Sequence, residues 1–172
     1  FPSPNHGERN GGLKPEMVIL HYTGMPSAKS ALKWLCTPES SVSCHYFIYE
    51  TGKILQLVPE SRRAWHAGAG SWRGREDINS RSIGIEIANI GHDGARVDPD
   101  DPRKPLKEGE AAPLPPFPDR QIKAVIALVK DISDLLSDRD VKLTLVSPYP
   151  WPDRAGRKMD AFEQEAWTRF QT

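Results

Sequence analysis

The sequence predicts an α/β fold in which one domain packs helices against a single sheet. Segments with strand-like and helix-like hydrophobic patterns alternate along the chain, which is typical of this class. A length of 172 residues with 38% hydrophobic residues suffices for one domain with a substantial core and is short for two. Apolar residues between 122 and 136 recur at helical spacing and mark the clearest amphipathic helix.

The first half of the chain predicts a strand, a helix and a hairpin. Residues 17–23 (MVILHYT) are β-branched and aromatic, which indicates a buried strand. Residues 27–35 space their apolar side chains as a helix does, and Ser27 is suited to cap it. Residues 43–59 predict a hairpin, because two apolar-rich runs flank a turn at residues 50–52.

The second half continues the alternation. Residues 80–89 predict a strand with isoleucines on one face, and the other face places Glu86 among small residues, where a carboxylate can look into a cleft. A helix is expected from Asp119 onwards because aspartate is a good N-cap. Residues 141–146 predict the next strand, and residues 160–170 predict a closing helix.

Residues 91–118 differ from the rest of the chain. They contain seven of the sixteen prolines, many charges and little apolar content, and they show no periodicity. Such composition predicts an inserted surface loop within a single domain that comprises residues 1–172.

Charge and hydropathy exclude several classes of partner. The 23 basic and 23 acidic residues balance, so no overall field attracts nucleic acid or an anionic membrane. No apolar run approaches the roughly 20 residues that a membrane span needs. With no coiled-coil seam in the sequence, a monomer is expected.

Several polar residues interrupt or follow the predicted strands. His21 lies within an otherwise apolar strand, where a lone histidine is usually a hydrogen-bonded core residue. Other polar residues lie in or near the predicted strands. His45 opens the second strand, Glu86 lies within the fourth, and the rest lie in loops: His66, Lys158 and Asp160. Because loops beyond strand ends converge on one crevice in an α/β sheet, these residues can share a site. Histidine and aspartate are zinc ligands, and a catalytic zinc normally takes three protein ligands and one water.

Four segments in order resemble the zinc-dependent N-acetylmuramoyl-L-alanine amidases. These segments are VILHYTG, VSCHYFIYETGKILQLVPESRRAWHAG, INSRSIGIEIAN and GRKMD. This amidase type is shared by bacterial cell-wall recycling enzymes, phage lysins and animal peptidoglycan recognition proteins. The resemblance runs from about Pro4 to Asp160 apart from the proline-rich insertion, and it implies a central mixed β-sheet flanked by helices on both faces.

The resemblance also implies roles for single residues. His21 matches the first zinc ligand and Asp160 the last, for one zinc ion. Lys158 matches the lysine that stabilises the oxyanion, and Glu86 matches the carboxylate that positions or deprotonates the zinc water. The bond attacked in the family joins N-acetylmuramic acid to L-alanine of the stem peptide.

The same resemblance implies a groove for peptidoglycan or a released muropeptide. The residues expected to line it are His45, Trp65, His66, Trp72 and Asn79. The two tryptophans are equally compatible with packing in the core or in a lid. Relatives work in the cytoplasm, in the periplasm and outside cells, so the resemblance leaves the compartment open, the bacterial cytoplasm and the periplasm included.

The chain departs from the family pattern at the second histidine ligand. In the family this histidine lies ten residues before the aspartate, which corresponds here to Pro150, and no histidine follows His92. An active amidase therefore needs a substitute ligand. The candidates are His66, His45, Asp153 and Tyr149.

Two other interpretations compete with an active amidase. The first is a degenerate, non-catalytic protein that binds peptidoglycan with an incomplete zinc site. The second is a protein that shares only the fold and binds another protein, for example through residues 91–118. The site residues also have structural alternatives: His21 in a core hydrogen bond, Glu86 and Lys158 in an ion pair, and Asp160 as a helix N-cap.

Overall fold

The chain is described from a computed structural model covering residues 2–91 and 116–137, together with the backbone of residues 144–146. Its α-helices and strands are β1 His6–Gly7, β2 Met17–Tyr22, α1 Ala28–Leu35, β3 Tyr46–Ile48, β4 Ile54–Gln56, β5 Arg63–Ala64, α2 Ile78–Arg81, β6 Ser82–Ile87, α3 Asp119–Ser137 and β7 Thr144–Val146. Most of the insertion, the predicted closing helix, Lys158 and Asp160 lie outside the described residues.

A five-stranded mixed sheet forms the centre of the described region. Its strand order is β4-β3-β6-β2-β7. Strand β2 pairs in parallel with β6 and β7, β3 pairs in parallel with β6, and only the β3–β4 hairpin is antiparallel. The short strands β1 and β5 form a separate antiparallel pair.

Helices cover both faces of this sheet, so the predicted fold class is confirmed. On one face, buried residues of α3 such as Val129 and Ile132 pack on Ile83 and Ile85 of β6. On the other face, Ala31 and Leu35 of α1 belong to a cluster with Phe47. The odd-numbered residues of β6 thus face α3, and its even-numbered residues face the opposite side of the sheet.

The predicted elements that fall in the described residues are found at or inside their expected bounds, with one difference. Ser27 caps α1 as expected, because its side chain accepts a hydrogen bond from the backbone N–H of Ser30 at 3.1 Å. The strand predicted over 80–89 begins only at Ser82, since Ile78–Arg81 form a helical turn. Ile78 in that turn is buried against β2, and this tertiary contact is not visible in local periodicity.

In the described ranges, no helix combines the length and apolar character that a membrane span requires.

The hairpin turn is joined to the start of α3. Arg120 donates from Nε to the carbonyl of Glu50 at 2.9 Å, and Gln121 donates to the carbonyls of Ile48 and Ala88 at 3.2 and 2.9 Å. Gly52 has a φ of +81°, and a Cβ at this position would lie 2.7 Å from the carbonyl oxygen of Arg120. Glycine is required here for both its backbone conformation and the space it leaves.

Gly52→Ala is therefore expected to lower the free energy of unfolding by about 1–3 kcal/mol. Gly12→Ala is the matched control, since Gly12 has a φ of +67° and a Cβ added to it would meet no atom within 4 Å. Urea denaturation of both variants measures the difference. Equal losses would show that the contact with α3 contributes nothing beyond the backbone strain.

Candidate functional site

The parallel pairing of β2 with β6 determines the position of the site. The register aligns Met17 with Ser82 and continues to Tyr22 with Ile87, so that His21 is the direct partner of Glu86. Partners in adjacent strands project to the same face of a sheet. The imidazole and the carboxylate therefore lie side by side, on the face opposite α3.

His66 lies against this pair of strands. Its Nδ1 is 3.0 Å from Nε2 of His21, and its Nε2 is 3.0 Å from the hydroxyl oxygen of Ser82. A Cβ on Gly84 would lie 2.4 Å from Cγ of His66, so the ring packs directly on the backbone of β6. Alternate residues of β6 therefore have different roles on this face. Ser82 forms a hydrogen bond with His66, Gly84 leaves space for its ring, and Glu86 provides a carboxylate.

Asn79 holds the segment that carries His66. It is buried, and its Oδ1 accepts hydrogen bonds from the backbone N–H groups of His66 and Ala67 at 3.0 and 2.8 Å. The sequence predicts that Asn79 lines the groove. In the structure, Asn79 lines the cleft and also holds the backbone of residues 66 and 67 in place.

His45 and Arg9 form a buried polar network beneath this segment. The five N–H groups of Arg9 are accounted for by backbone carbonyls of Glu60, Asn79, Ser80 and Ser82. Burial lowers the pKa of Arg9 to about 10. Its Nη2 also lies 3.1 Å from Nε2 of His45.

His45 has no exposed surface, and both ring nitrogens are engaged. Nδ1 accepts from the backbone N–H of Gly84 at 2.9 Å, so Nε2 carries the proton of the neutral ring and donates to the carbonyl of Arg62 at 3.1 Å. Burial lowers the pKa of His45 to about 4. The structure therefore places His45 in the core rather than on the groove, and neither nitrogen is available to replace a missing metal ligand.

Glu86 is the one ionisable group among the two described side chains that have a buried polar atom without a hydrogen-bond partner, the other being the amide of Gln121. Its Oε2 is buried and has no hydrogen-bond partner within the described part of the chain. Burial raises the pKa of this carboxyl to about 7. Burial also lowers the pKa of His21 to about 4, and burial with the neighbouring charges lowers the pKa of His66 well below its usual range. A carboxylate in this position calls for a donor or a cation from outside the described residues.

A cleft of about 260 Å³ opens beside Glu86 and His66, and His21 is not among its lining residues. Its lining includes the predicted residues Trp65, His66, Asn79 and Glu86, together with Trp34, which the sequence prediction missed. Trp34 is 51% exposed although it lies in a helix that packs on the sheet. The helical spacing that buries Ala31 and Leu35 contains this signal, because it leaves position 34 off the core face.

Trp72 is not among the residues that line this cleft. It lies in the loop before α2, where it forms an isolated bridge with Arg75, and the Arg73 guanidinium is 5.7 Å from its ring. The described residues do not bring it to His21 and Glu86.

The donor set can be tested against the zinc ion that the sequence implies. An imidazole and a carboxylate are suitable zinc ligands, and the buried Oε2 of Glu86, which lacks a partner among the described residues, would be satisfied by a cation or by a water molecule bound to one. Among the described residues, no three His, Cys, Asp or Glu side chains are grouped as a metal site. The residues present fit part of a zinc site whose remaining predicted ligand, Asp160, lies outside the described ranges.

Comparison with known protein families gives an independent result. The family model described as N-acetylmuramoyl-L-alanine amidase matches residues 11–158. The amidase AmiD of Escherichia coli is 36% identical, with 68% of this chain and 39% of AmiD covered. The 1,6-anhydro-N-acetylmuramyl-L-alanine amidase AmpD of Salmonella typhimurium is 33% identical, with 50% of this chain and 55% of AmpD covered. The chain thus spans about half the length of the AmpD relatives it matches.

Solved structures of amidases are also similar to this chain. AmpDh3 of Pseudomonas aeruginosa in complex with anhydromuramic pentapeptide has a TM-score of 0.63 and 27% identity, covering 92% of this chain and 62% of that one. The Escherichia coli AmiD complex with anhydro-N-acetylmuramic acid-L-Ala-D-gamma-Glu-L-Lys has a TM-score of 0.60 and 28% identity, covering 83% and 56%.

The raised pKa of Glu86 predicts a pH-dependent effect of Glu86→Gln on folding. The neutral carboxyl is favoured in the folded protein, so its stabilisation is complete below about pH 4.5 and is lost as the pH rises through about 7. In chelator-treated protein at pH 8–9, the variant should be more stable than the parent by at most about 3 kcal/mol. This difference should shrink below pH 5.

Urea denaturation across this pH range measures the effect. A difference in unfolding free energy that is constant from pH 4 to 9 would contradict the assignment of a buried, unsatisfied carboxyl.

Proposed function

Because the chain belongs to the N-acetylmuramoyl-L-alanine amidase family, we propose that it hydrolyses the amide between N-acetylmuramic acid and L-alanine of the stem peptide. The observation that carries this proposal is the position of Glu86. Glu86 lines the cleft, its buried Oε2 has no hydrogen bond from the described residues, and its strand partner is His21. A peptidoglycan fragment is the favoured substrate, since AmpD relatives are named for the anhydro sugar of such fragments.

The proposed residues divide the work of hydrolysis. His21 and Asp160 would hold one zinc ion. When bound, zinc lowers the pKa of a water molecule and polarises the scissile carbonyl. Glu86 would accept the proton of the attacking water, and its pKa of about 7 is near the optimum for a base at neutral pH. Lys158 would stabilise negative charge on the carbonyl oxygen.

The substrate would be bound along the cleft beside Glu86. Trp34 and Trp65 offer aromatic surfaces that suit sugar rings and peptide methyl groups, and the amides and hydroxyls between them can orient polar parts of the ligand. We retain Trp65, His66 and Asn79 as groove residues and add Trp34. His45 contributes through the core beneath the groove.

A non-catalytic peptidoglycan-binding protein is the second candidate. The observation that favours it is the absence of a histidine at position 150 or anywhere after His92. Two protein ligands hold zinc poorly, because a catalytic site normally has three. A binder would keep the cleft and the fold and would not need the metal.

Digestion of a muropeptide by the full chain, with and without added zinc, distinguishes the two candidates. The amidase predicts a new L-alanine amino terminus, about one zinc per chain, and loss of both on His21→Ala. Glu86→Gln should retain zinc and lower kcat by about 100-fold or more, since it removes the proton acceptor.

His6→Ala is the control, because His6 is a histidine in β1 outside the cleft. It should leave both zinc content and turnover unchanged. Muropeptide binding without cleavage or zinc would establish the binder and overturn the amidase.

A further inference from the structure

The hydrogen bonds around His66 determine which nitrogen of each histidine carries a proton. Ser82 donates its hydroxyl proton to the carbonyl of Ile78 at 2.7 Å, because a carbonyl oxygen can only accept. The oxygen of Ser82 is then left to accept from Nε2–H of His66 at 3.0 Å. In the neutral ring, this leaves a lone pair on Nδ1 of His66.

The same reasoning passes to His21. Nδ1 of His66 is 3.0 Å from Nε2 of His21, so Nε2 of His21 must carry the proton of that hydrogen bond. The lone pair of a neutral His21 is then on Nδ1. Within the described part of the chain, no group forms a hydrogen bond with this nitrogen.

We propose that His66 is a positioning residue that, held by Ser82, fixes His21 in the tautomer that presents Nδ1 as a metal ligand. This inference rests on the proposed zinc amidase function and concerns how the first ligand is prepared. When one ring nitrogen of a histidine binds a metal, a hydrogen bond from the other ring nitrogen fixes the orientation of the imidazole and raises its basicity.

Three features of the structure support a fixed orientation of His66. The ring lies on Gly84, where a Cβ would approach Cγ to 2.4 Å, so β6 defines one side of it. The backbone N–H of His66 is bound by Asn79 at 3.0 Å. The rings of His21 and His66 are 5.2 Å apart at 73°, an edge-on arrangement in which one nitrogen can point at the other.

The proposal also decides against His66 as the substitute for the missing histidine ligand. Both of its nitrogens are engaged, one with Ser82 and one with His21. Binding a metal through either nitrogen would break one of these hydrogen bonds. The missing third protein ligand of the proposed zinc site must therefore come from a residue other than His66.

Two isosteric variants separate the two nitrogens of His66. In His66→Asn, the amide oxygen occupies the place of Nδ1 and can still accept from His21. In His66→Gln, the amide reaches the place of Nε2 and can still donate to Ser82, but the acceptor for His21 is lost. Ser82→Ala keeps the ring and removes the group that selects its tautomer.

The test measures ¹⁵N chemical shifts of the histidines in the metal-free full chain, and then zinc affinity by chelator competition. We expect Nε2–H tautomers at His21 and His66 in the parent chain, with the Nδ1 signal of His21 moving when zinc is added. His66→Gln should weaken zinc binding by about 10–100-fold, His66→Asn by clearly less, and Ser82→Ala by about 10-fold. His6→Gln should leave the affinity unchanged.

An Nδ1–H tautomer at His21 in the parent chain would overturn the proposal. Equal zinc affinity in the Asn and Gln variants would also overturn it, as would a ¹⁵N shift typical of direct zinc ligation at a nitrogen of His66. Circular dichroism and urea denaturation identify variants that fail to fold, and the parent tautomers do not depend on any variant. If zinc binds with the expected tautomers and variant effects and muropeptide is not cleaved, the positioning inference stands while the amidase function fails. If the parent chain does not bind zinc, both fail.

Discussion

The parallel pairing between β2 and β6 is the constraint on which the rest of the site depends. It aligns six residues on each strand and makes His21 and Glu86 direct neighbours, although 65 positions separate them in the sequence. A shift of one residue would send one of the two side chains to the α3 side of the sheet. The apolar residues on that side oppose such a shift, because Ile83 and Ile85 are fully buried against α3. Core packing therefore enforces the geometry of the polar face.

The polar face requires compensation for the burial of its groups. Arg9 brings a charge into the interior and satisfies it with carbonyl oxygens from three segments, which ties the amino-terminal arm to the turn before β6. The polar atoms of His45 and Asn79 bind backbone groups, and the ring nitrogens of His66 bind Ser82 and His21. Glu86 stands out against this background, since one of its oxygens is buried without a partner in the described region. Among the described residues, Oε1 of Gln121 is also buried without a partner, but that amide is neutral and its nitrogen binds the carbonyls of Ile48 and Ala88. Glu86 differs because it is an ionisable carboxyl that lines the cleft, and this combination is functionally informative.

The sequence predicted the fold class and the positions of its main elements because hydrophobic periodicity reports directly on burial. It also placed His21 and Glu86 on strands, and it assigned Glu86 to the face opposite the isoleucines. It did not predict the helical turn Ile78–Arg81, since the burial of Ile78 against β2 is a long-range contact. The two-stranded pair of β1 and β5 is equally nonlocal and too short to produce a pattern.

Individual site residues were harder to predict than the fold. His45 and His66 have the same residue type and both lie near strand ends, yet one is enclosed in the core and the other contacts His21. The two tryptophans also differ from the sequence prediction. Trp34, on helix α1, lines the cleft although it was not predicted, whereas Trp72, in a loop, was predicted and does not line it. These distinctions depend on packing between segments, and no local pattern encodes them. The roles of Lys158 and Asp160 still rest on the family resemblance.

The most direct test is a crystal structure of the full chain grown with zinc, with the metal located by anomalous scattering at its absorption edge. The account predicts a zinc ion bound by Nδ1 of His21 and the carboxylate of Asp160, with Glu86 beside it at the cleft. A zinc ion bound away from β2 and β6, or an imidazole at position 21 that faces away from Glu86, would contradict it.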